Sequence, residues 1–283
     1  MLKARILTVL VLLPLLLAAL FFLPNVYWAV LMLFVLLIGA SEWARMASYS
    51  VVSSSIFLFL TGVFGLALLF IFKIDTATGT WLNLSLYGLS LFFWTLVAPV
   101  WLSKGLKISN GFVLGLVGWI ILIPTWLALV QLKSISPVLL LALMAVIWAA
   151  DTAAYFAGKR FGNNKLAPTI SPGKTWEGVI GALVGVSIYA LIWLNSSNTL
   201  HEATARVGGI PVITVIIAVW LMTYFSVLGD LFESWMKRQA GLKDSGNILP
   251  GHGGILDRID ALTSTLPLAA LVVFYLNSTL SIQ

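Results

Sequence analysis

Chemically active side chains are concentrated in one segment, residues 226–260, of a chain that is otherwise apolar. Only 9% of the 283 residues are charged, yet this segment holds five carboxylates, four cations and a histidine. They are Asp230, Glu233, Lys237, Arg238, Lys243, Asp244, His252, Asp257, Arg258 and Asp260. The segment lies between two long apolar runs, where ionisable residues are costly and mark a functional site by default.

The first part of this segment predicts one polar helix face. Asp230, Glu233, Ser234 and Lys237 recur at i, i+3, i+4 and i+7, so a helix places all four on the same side. A helix end that enters water explains the cation but not a carboxylate that directly follows a long apolar run. We therefore interpret Asp230 as functional and leave Glu233 undecided. Ser234 has no histidine at helical spacing, which argues against a nucleophilic role.

The second part is PGHGGILDRID, residues 250–260. Three glycines and a proline around His252 predict an irregular backbone that lets amide groups approach a ligand. Asp257 and Asp260 are three apart and can share a helix face. Such an oxygen-rich set suits a hard cation such as Mg²⁺, which binds one or two carboxylates plus substrate phosphates. Capping of the last helix explains one of these acids but not the whole set.

A third polar cluster lies in residues 151–178. Its polar members are Asp151, Tyr155, Lys159, Arg160, Lys165, Ser171, Lys174 and Glu177. SPGKTWEG, residues 171–178, is only faintly similar to a P-loop, because the glycine spacing is missing and no strand is expected before it. The lysines can attract an anion as point charges, or can simply retain the loop in the cytoplasm. A glycine stripe at 178, 181 and 185 predicts close helix packing.

Membrane-spanning helices must position these residues. The chain is 60% hydrophobic with a mean hydropathy of +1.05, whereas soluble domains are about 45–50% apolar. Cysteine is absent, which excludes disulfides, thiolate metal sites and a cysteine nucleophile. The formal charge of +6 does not indicate a nucleic-acid partner, since multi-spanning proteins carry Lys and Arg mainly for topology.

Apolar runs and their breakers predict an all-α integral membrane protein with nine spans. The spans are approximately 5–23, 26–41, 52–72, 81–102, 111–131, 136–157, 177–195, 209–230 and 259–277. The second is short, and an extension to Trp43 is left open. The N-terminal run is interpreted as the first span rather than a signal peptide, because it is long and lacks a small-x-small cleavage site before Pro24. Turn signals between spans include Thr76–Gly79, Ser109-Asn110-Gly111, Ser134–Pro137 and Asn195–Asn198.

The spans predict an orientation. With the N-terminus in the cytoplasm, all Lys and Arg except Lys73, Lys133 and Arg206 fall in inner segments, as the positive-inside rule requires. The C-terminus then lies outside, and both polar loops of the second half face the cytoplasm. We predict a scaffold in residues 1–135, with almost nothing that could do chemistry, and a catalytic region in residues 136–283. His201 and Glu202 are assigned no role.

The string SWMKRQAGLKDSGNILPGHGGILDRID, residues 234–260, resembles the signature of the phosphatidate cytidylyltransferases, also called CDP-diglyceride synthases. SPGKTWEG and the D-x-x-A-Y-x-x-G-K stretch from Asp151 to Lys159 are also similar to that family. The opening MLKAR and the layout of the spans extend the resemblance over the chain, and no motif position departs from it. The resemblance implies a multi-pass enzyme of phospholipid biosynthesis in the bacterial inner membrane, with its active site facing the cytoplasm.

The implied reaction converts CTP and phosphatidate to CDP-diacylglycerol and pyrophosphate, with Mg²⁺ required. The lipid phosphate attacks the α-phosphorus of CTP, so catalysis depends on positioning and charge neutralisation and needs no protein nucleophile. The resemblance implies Asp230 and Asp257 as metal ligands, with Asp260 in support. A second cation and a homodimer are left open.

The resemblance also implies roles for the other polar residues. Phosphate contacts are expected from Lys237, Arg238, Lys243 and Arg258. Asp244 and His252 are expected to shape the nucleotide site or to assist release of pyrophosphate. The remaining substrate-binding candidates are Asp151, Lys159, Lys165, Ser171, Lys174, Ser234, Gly253 and Gly254.

Two other functions stay open at this stage. A CTP-dependent polyprenol or lipid kinase also places acidic and glycine-rich segments near membrane ends, although the long match argues against it. An ion-coupled transporter also uses intramembrane carboxylates and glycine breaks. Transporters often contain two related halves, whereas the polar residues here lie in one half.

Overall fold

The protein is a helical bundle. The computed structural model describes residues 2–70, 81–196 and 212–280, and within these ranges nine helical segments correspond to the nine predicted spans. Seven of them are long and apolar enough to cross a membrane, and residues Thr8–Phe22 form a shorter apolar helix. The predicted class, an all-α integral membrane protein, is therefore confirmed, while the orientation stays a prediction.

The helices run almost end to end along the chain. Their bounds are α1 Leu2–Phe22, α2 Asn25–Met46, α3 Val51–Phe70, α4 Trp81–Phe92, α5 Ala98–Lys104, α6 Gly111–Ile135, α7 Pro137–Phe161, α8 Trp176–Ser196, α9 Val212–Gln239 and α10 Leu256–Leu280. A π-helical turn, Phe93–Val97, joins α4 to α5, so the two form one continuous span, Trp81–Lys104.

Two predicted turn signals are helix caps. The Asn110 side chain accepts a hydrogen bond from the Val113 amide at 3.2 Å, and the Ser136 hydroxyl accepts one from the Leu139 amide at 3.3 Å. Both satisfy amide groups that have no partner inside the helix. Outside the described ranges lie the signal at Thr76–Gly79, the last two residues of Asn195–Asn198, and Lys73, His201, Glu202 and Arg206.

The loop between α7 and α8 contains a short antiparallel hairpin that the sequence did not predict. Strand β1, Lys165–Ala167, pairs with β2, Ser171–Thr175. The expectation that no strand precedes SPGKT is therefore wrong. SPGKT is itself the second strand of the hairpin and leads directly into α8, so it does not adopt the phosphate-wrapping loop of a P-loop, in which the glycine-rich segment follows a strand.

The main core forms where α2, α6, α9 and α10 pack together. Its largest side chains are tryptophans whose indole groups are satisfied: Trp28 donates to the Leu129 carbonyl and Trp126 to the Ala29 carbonyl, each at 3.0 Å. Because a buried indole N–H needs an acceptor, these bonds also fix the register of α2 against α6.

A smaller core joins α7, α8 and α9. The predicted glycine stripe packs α8 closely on α7, as expected: a Cβ at Gly185 would lie 2.5 Å from the Cβ of Ala153, and one at Gly178 would lie 3.1 Å from the Ala154 carbonyl oxygen. Only small residues permit this approach. The 162–175 loop joins these two closely packed helices, and it contacts α9 through Lys174.

One end of the bundle collects the polar groups, and we call it the polar end. The last turns of α2, α7 and α9 and the first turns of α8 and α10 meet there. The 162–175 loop and the 240–255 loop cross the same end. The proposed division between residues 1–135 and 136–283 stays a prediction.

Candidate active site

Asp257, in the first turn of α10, is the centre of one polar cluster. Its Oδ1 forms an ion pair with Lys237 Nζ at 2.6 Å, and its side chain is only 5% exposed. Its Oδ2 accepts hydrogen bonds from the Gly254 amide and the Ser245 amide, both at 2.8 Å, and from the Ser245 hydroxyl at 3.0 Å. Both oxygens of Asp257 accept hydrogen bonds from donors in fixed positions, so the carboxylate is held in one orientation. It lies at the N-terminus of α10, where the helix dipole favours a negative charge.

The glycine-rich turn before α10 explains this geometry. Gly253 has a φ of +82°, a conformation that glycine adopts readily, and a Cβ there would lie 2.5 Å from Asp257 Oδ2. The Leu249 amide donates to the Gly253 carbonyl, and the His252 amide donates to the Leu249 carbonyl, both at 2.9 Å. Among the described residues, the buried Nδ1 of His252 has no hydrogen-bond partner. The predicted irregular backbone is confirmed.

Helix α9 presents one charged face toward this cluster, as its spacing predicts. Lys237 forms a second ion pair, at 2.6 Å, with Glu233 Oε2 one turn earlier. Ser234 donates a hydrogen bond to Asp230 Oδ1 at 3.2 Å. Asp230 and Lys237 therefore mark the two ends of a continuous acidic and basic strip along α9.

The far end of the strip borders a polar cavity of about 510 Å³ between α7, the hairpin, α8 and α9. Lys174 on β2 forms an ion pair with Asp230 at 2.7 Å, and both side chains remain partly exposed. Five of the predicted site residues line the cavity: Asp151, Lys159, Ser171, Lys174 and Asp230. The structure thus brings the hairpin and α9 to one site, although they are far apart in sequence.

Two further carboxylates, Asp260 and Glu233, lie between the cavity and the Asp257 cluster. Asp260 interacts electrostatically with Asp230, Glu233 and Lys174, and its Oδ1 accepts a hydrogen bond from the Ala261 amide at 2.8 Å. The other carboxylate oxygen of Glu233, Oε1, is buried and has no partner among the described residues. Like charges held this closely in a poorly hydrated site repel one another unless a cation compensates them.

The charge balance of the site suits a divalent cation. Six carboxylates of the cavity and the Asp257 cluster face four cations, which leaves a formal charge of −2. These groups are Glu42, Asp151, Asp230, Glu233, Asp257 and Asp260 against Lys159, Lys174, Lys237 and Arg258. Within residues 2–70, 81–196 and 212–280, no three His, Cys, Asp or Glu residues form a ready-made metal cluster. The set therefore fits a hard cation that takes one or two carboxylates and completes its shell with substrate oxygens.

The residue that the sequence reasoning missed is Glu42, at the polar end of α2. Glu42 is 4% exposed, and its carboxylate accepts hydrogen bonds from the Ile255 amide at 2.9 Å, the Leu256 amide at 2.8 Å and the Ser245 hydroxyl at 3.0 Å. Arg45, one turn later, donates to the Asp244 carbonyl at 2.8 Å and to the Ser245 carbonyl. Helix α2 therefore contributes two polar side chains to this end of the bundle, in addition to the C-terminal segments that the sequence indicated.

A signal for Glu42 was present in the sequence. Like Asp230, it is an isolated carboxylate that directly follows an apolar run. The sequence predicts the second span over 26–41 and leaves an extension to Trp43 open, but it assigns no role to Glu42. The helix continues to Met46, and the carboxylate therefore lies inside the bundle and close to the start of α10.

Several predicted residues lie at the margin of the site. Arg238 is exposed and donates to the Leu242 carbonyl at 3.3 Å. Lys243 and Asp244 are exposed in the loop that follows α9, and Lys165 is exposed on β1, outside the cavity lining. Arg258 is exposed and lines an apolar groove beside the site.

Fold and site together define a polytopic membrane protein with a charged cavity suited to phosphate groups and a cation. The chain belongs to a family described as the cytidylyltransferase family, whose sequence model matches residues 3–276. It is 38% identical to the phosphatidate cytidylyltransferase of Pseudomonas aeruginosa over 97% of each chain. It is 34% identical to the Haemophilus influenzae protein of that name, over 97% of this chain and 99% of the other. The resemblance drawn from the motifs is confirmed.

A third bacterial protein gives a shorter match. The phosphatidate cytidylyltransferase of Bacillus subtilis is 45% identical over 122 residues, which is 43% of this chain and 42% of that protein. These three relatives thus include both full-length and partial matches, and they carry the same name.

Proposed function

We propose that this protein is a phosphatidate cytidylyltransferase that forms CDP-diacylglycerol and pyrophosphate from CTP and phosphatidate. The observation that carries the proposal is the position of the charged strip of α9. The strip runs from the polar cavity at Lys174 and Asp230 to the Asp257 cluster, at the end of a bundle of apolar helices. A nucleotide from water and a lipid from the bilayer can both reach such a place. Full-length similarity to relatives of that name supports the same reaction.

In the proposed reaction, an oxygen of the lipid phosphate forms a new bond to the α-phosphorus of CTP. The bond from that phosphorus to the β-phosphate oxygen breaks, and pyrophosphate leaves with its electron pair. No residue becomes covalently modified, so the protein acts by aligning two anions and reducing their repulsion. Lys159 and Lys174 in the polar cavity are the proposed contacts of the CTP phosphates, and Lys237 is the proposed contact nearest the reacting centre.

Mg²⁺ is the proposed cofactor. Asp230 and Asp257 would hold it, with Asp260 in support, and it would supply neutralisation of the charge that gathers on the phosphates. Lys174 and Lys237 are the cations that neutralise these two carboxylates in the structure. Glu42, Ser245 and the glycine turn keep Asp257 in place while both substrates bind.

The proposal extends to location and assembly. We place the protein in the bacterial inner membrane with the polar end and the N-terminus in the cytoplasm and the C-terminus outside, because CTP is cytosolic. Residues 1–135 would serve mainly as scaffold, with Glu42 as the exception, and residues 136–283 would carry the catalytic region. A homodimer formed through the scaffold is compatible with this arrangement.

We expect pyrophosphate release by the purified protein in detergent to require CTP, Mg²⁺ and phosphatidate together. Each component is omitted in turn, and the lipid product is identified by mass spectrometry as a CDP-linked diacylglycerol. Release of CDP with a newly phosphorylated lipid would instead indicate a lipid kinase. Solute movement across liposomes without CTP consumption would indicate a transporter.

The cavity assignment predicts a selective effect at Lys174. We expect Lys174→Gln to raise the KM for CTP by roughly tenfold, the magnitude expected when one hydrogen bond to a charged group is lost. The matched control is Lys107→Gln, which removes an exposed lysine of the same polar end, outside the cavity lining. An unchanged KM for CTP in the Lys174 variant would contradict the placement of the nucleotide in the polar cavity.

A further inference from the structure

An apolar groove of about 600 Å³ lies beside the site and shares helix α7 with the polar cavity. Its walls are α1 and α7, and its floor is formed by α2, α6 and the first turns of α10. Representative lining residues are Leu12, Leu31, Trp126, Trp148 and Ile259. Among the described residues that line the groove, Arg258 is the one that carries a charge.

Arg258 stands between the groove and the polar cavity. It follows Asp257 directly in the first turn of α10, and its guanidinium is close enough to Asp151 in the cavity for the two charges to interact. Within the described ranges, its side chain forms no ion pair or hydrogen bond. Because the guanidinium is exposed and interacts with Asp151 only electrostatically, its N–H donors are available to an anionic ligand.

The dimensions of the groove match one leaflet of a bilayer. Its lining extends along α1 from Val9 to Ala19, which corresponds to about 15 Å of helical rise. The hydrocarbon core of a bilayer is about 30 Å thick, so one leaflet contributes about 15 Å. An extended acyl chain therefore fits along the groove, parallel to the helices, when the phosphate lies at Arg258.

Helix α1 contacts the rest of the bundle at Thr8 and at Leu20. The Thr8 hydroxyl donates to the Pro250 carbonyl at 3.1 Å, and Leu20 is buried in the main core. Between them, residues such as Leu12 and Leu15 are 43% and 60% exposed. The wall of the groove is thus a helix held at Thr8 and at Leu20, with side chains such as Leu12 and Leu15 partly uncovered between these two points.

We propose that this groove binds one acyl chain of the phospholipid substrate, with Arg258 contacting its phosphate. The inference rests on the proposed function, which identifies the lipid as phosphatidate. The position of Arg258 explains why the groove would select a lipid with a phosphate headgroup. A lipid that merely surrounds the protein needs no cation next to the catalytic carboxylate. The groove instead presents the phosphate of its occupant to the cavity where CTP is proposed to bind.

The first test narrows the groove. We expect Leu12→Trp to raise the KM for long-chain phosphatidate by roughly tenfold, because the indole displaces several buried methylene groups. The KM for CTP and the turnover of dioctanoyl phosphatidate should change less than twofold, within the scatter of context effects. Leu10→Trp is the matched control, since Leu10 is 65% exposed and lies outside the lining. Leu31→Trp tests the same space from α2.

If Leu12→Trp, Leu31→Trp and the unmodified protein had the same KM for phosphatidate at every acyl-chain length, the proposal that the groove binds an acyl chain would be overturned. The proposed function would then still stand, because the unmodified protein would make CDP-diacylglycerol. Absence of product from every phosphatidate would overturn the proposed function itself.

A second test uses the unmodified protein and does not depend on turnover. Phosphatidate with a photoreactive diazirine in its acyl chain should label peptides of α1, α2 and α6 that line the groove. Unlabelled phosphatidate should suppress this labelling at least tenfold better than phosphatidylcholine, since the cationic Arg258 favours the more anionic headgroup. Equal suppression by both lipids, or labelling outside the groove, would overturn the proposal.

Discussion

Replacement of Asp257 by Asn is expected to reduce the rate of pyrophosphate release at least a hundredfold while the protein remains folded and membrane-inserted. Both carboxylate oxygens accept from donors: Oδ1 from Lys237, and Oδ2 from Gly254 and Ser245. An amide nitrogen therefore meets a donor in either orientation of the side chain. Breaking a buried pair from one side costs about 3–5 kcal/mol, which corresponds to roughly a hundredfold to several-thousandfold in rate if it acts on the transition state.

The measurement is turnover at saturating CTP and phosphatidate, with size-exclusion profile and helical circular dichroism as checks on folding. Glu202→Gln is the control for loss of one carboxylate, because it lies in the sequence between α8 and α9 and has no proposed role. Wild-type turnover in the Asp257 variant would remove Asp257 from the proposed metal ligands. It would also leave the Lys237 ion pair without a catalytic purpose.

The second large effect is expected at Glu42, and it should combine lower stability with lower activity. Glu42→Gln keeps one acceptor oxygen but turns an amide group toward donors from Ser245, Ile255 and Leu256. A buried donor left without an acceptor costs about 1–3 kcal/mol, and the loss of charge also removes a favourable interaction with the α10 dipole. We expect a lower thermal midpoint and turnover reduced by about tenfold or more, because α10 carries Asp257.

Thermal unfolding can be followed by intrinsic fluorescence, since the chain contains 12 tryptophans. Ser41→Ala is the matched control, because Ser41 is the neighbouring residue and its hydroxyl donates to the Ile38 carbonyl of its own helix at 2.7 Å. The positioning role of Glu42 predicts that kcat falls more than the KM for CTP. A change in KM alone, or an unchanged thermal midpoint, would contradict that role.

The helical elements could be predicted from sequence because the signals are local. Apolar runs define spans, and residues such as Asn110 and Ser136 cap helices through contacts three residues away. The boundaries of the helices were predicted less well at the polar end of the bundle. Backbone hydrogen bonding in α9 continues through charged residues to Gln239, well beyond the end of the apolar run at residue 230.

The sequence predicted which site residues share a face of one helix, but not which residues of different helices and loops come into contact. The spacing of Asp230 and Lys237 correctly placed them on one face of a helix. The pairing of Lys174 with Asp230 depends on how the hairpin folds over α9, and the contacts of Glu42 depend on how α2 packs against α10. Such contacts arise from tertiary packing, and neither periodicity nor a motif encodes them. The hairpin was missed because its strands, three and five residues long, are too short to show alternation.

The bond between Glu42 and the start of α10 also affects the order in which the protein can be completed. Its partners Ile255 and Leu256 follow it by 213 and 214 residues, which a ribosome takes roughly 10–40 s to add at about 5–20 residues per second. During that interval Glu42 lacks the α10 partners that it has in the folded protein. The proposed catalytic centre can therefore form only after α10 has been synthesised, and we expect a nascent chain that lacks α10 to be inactive.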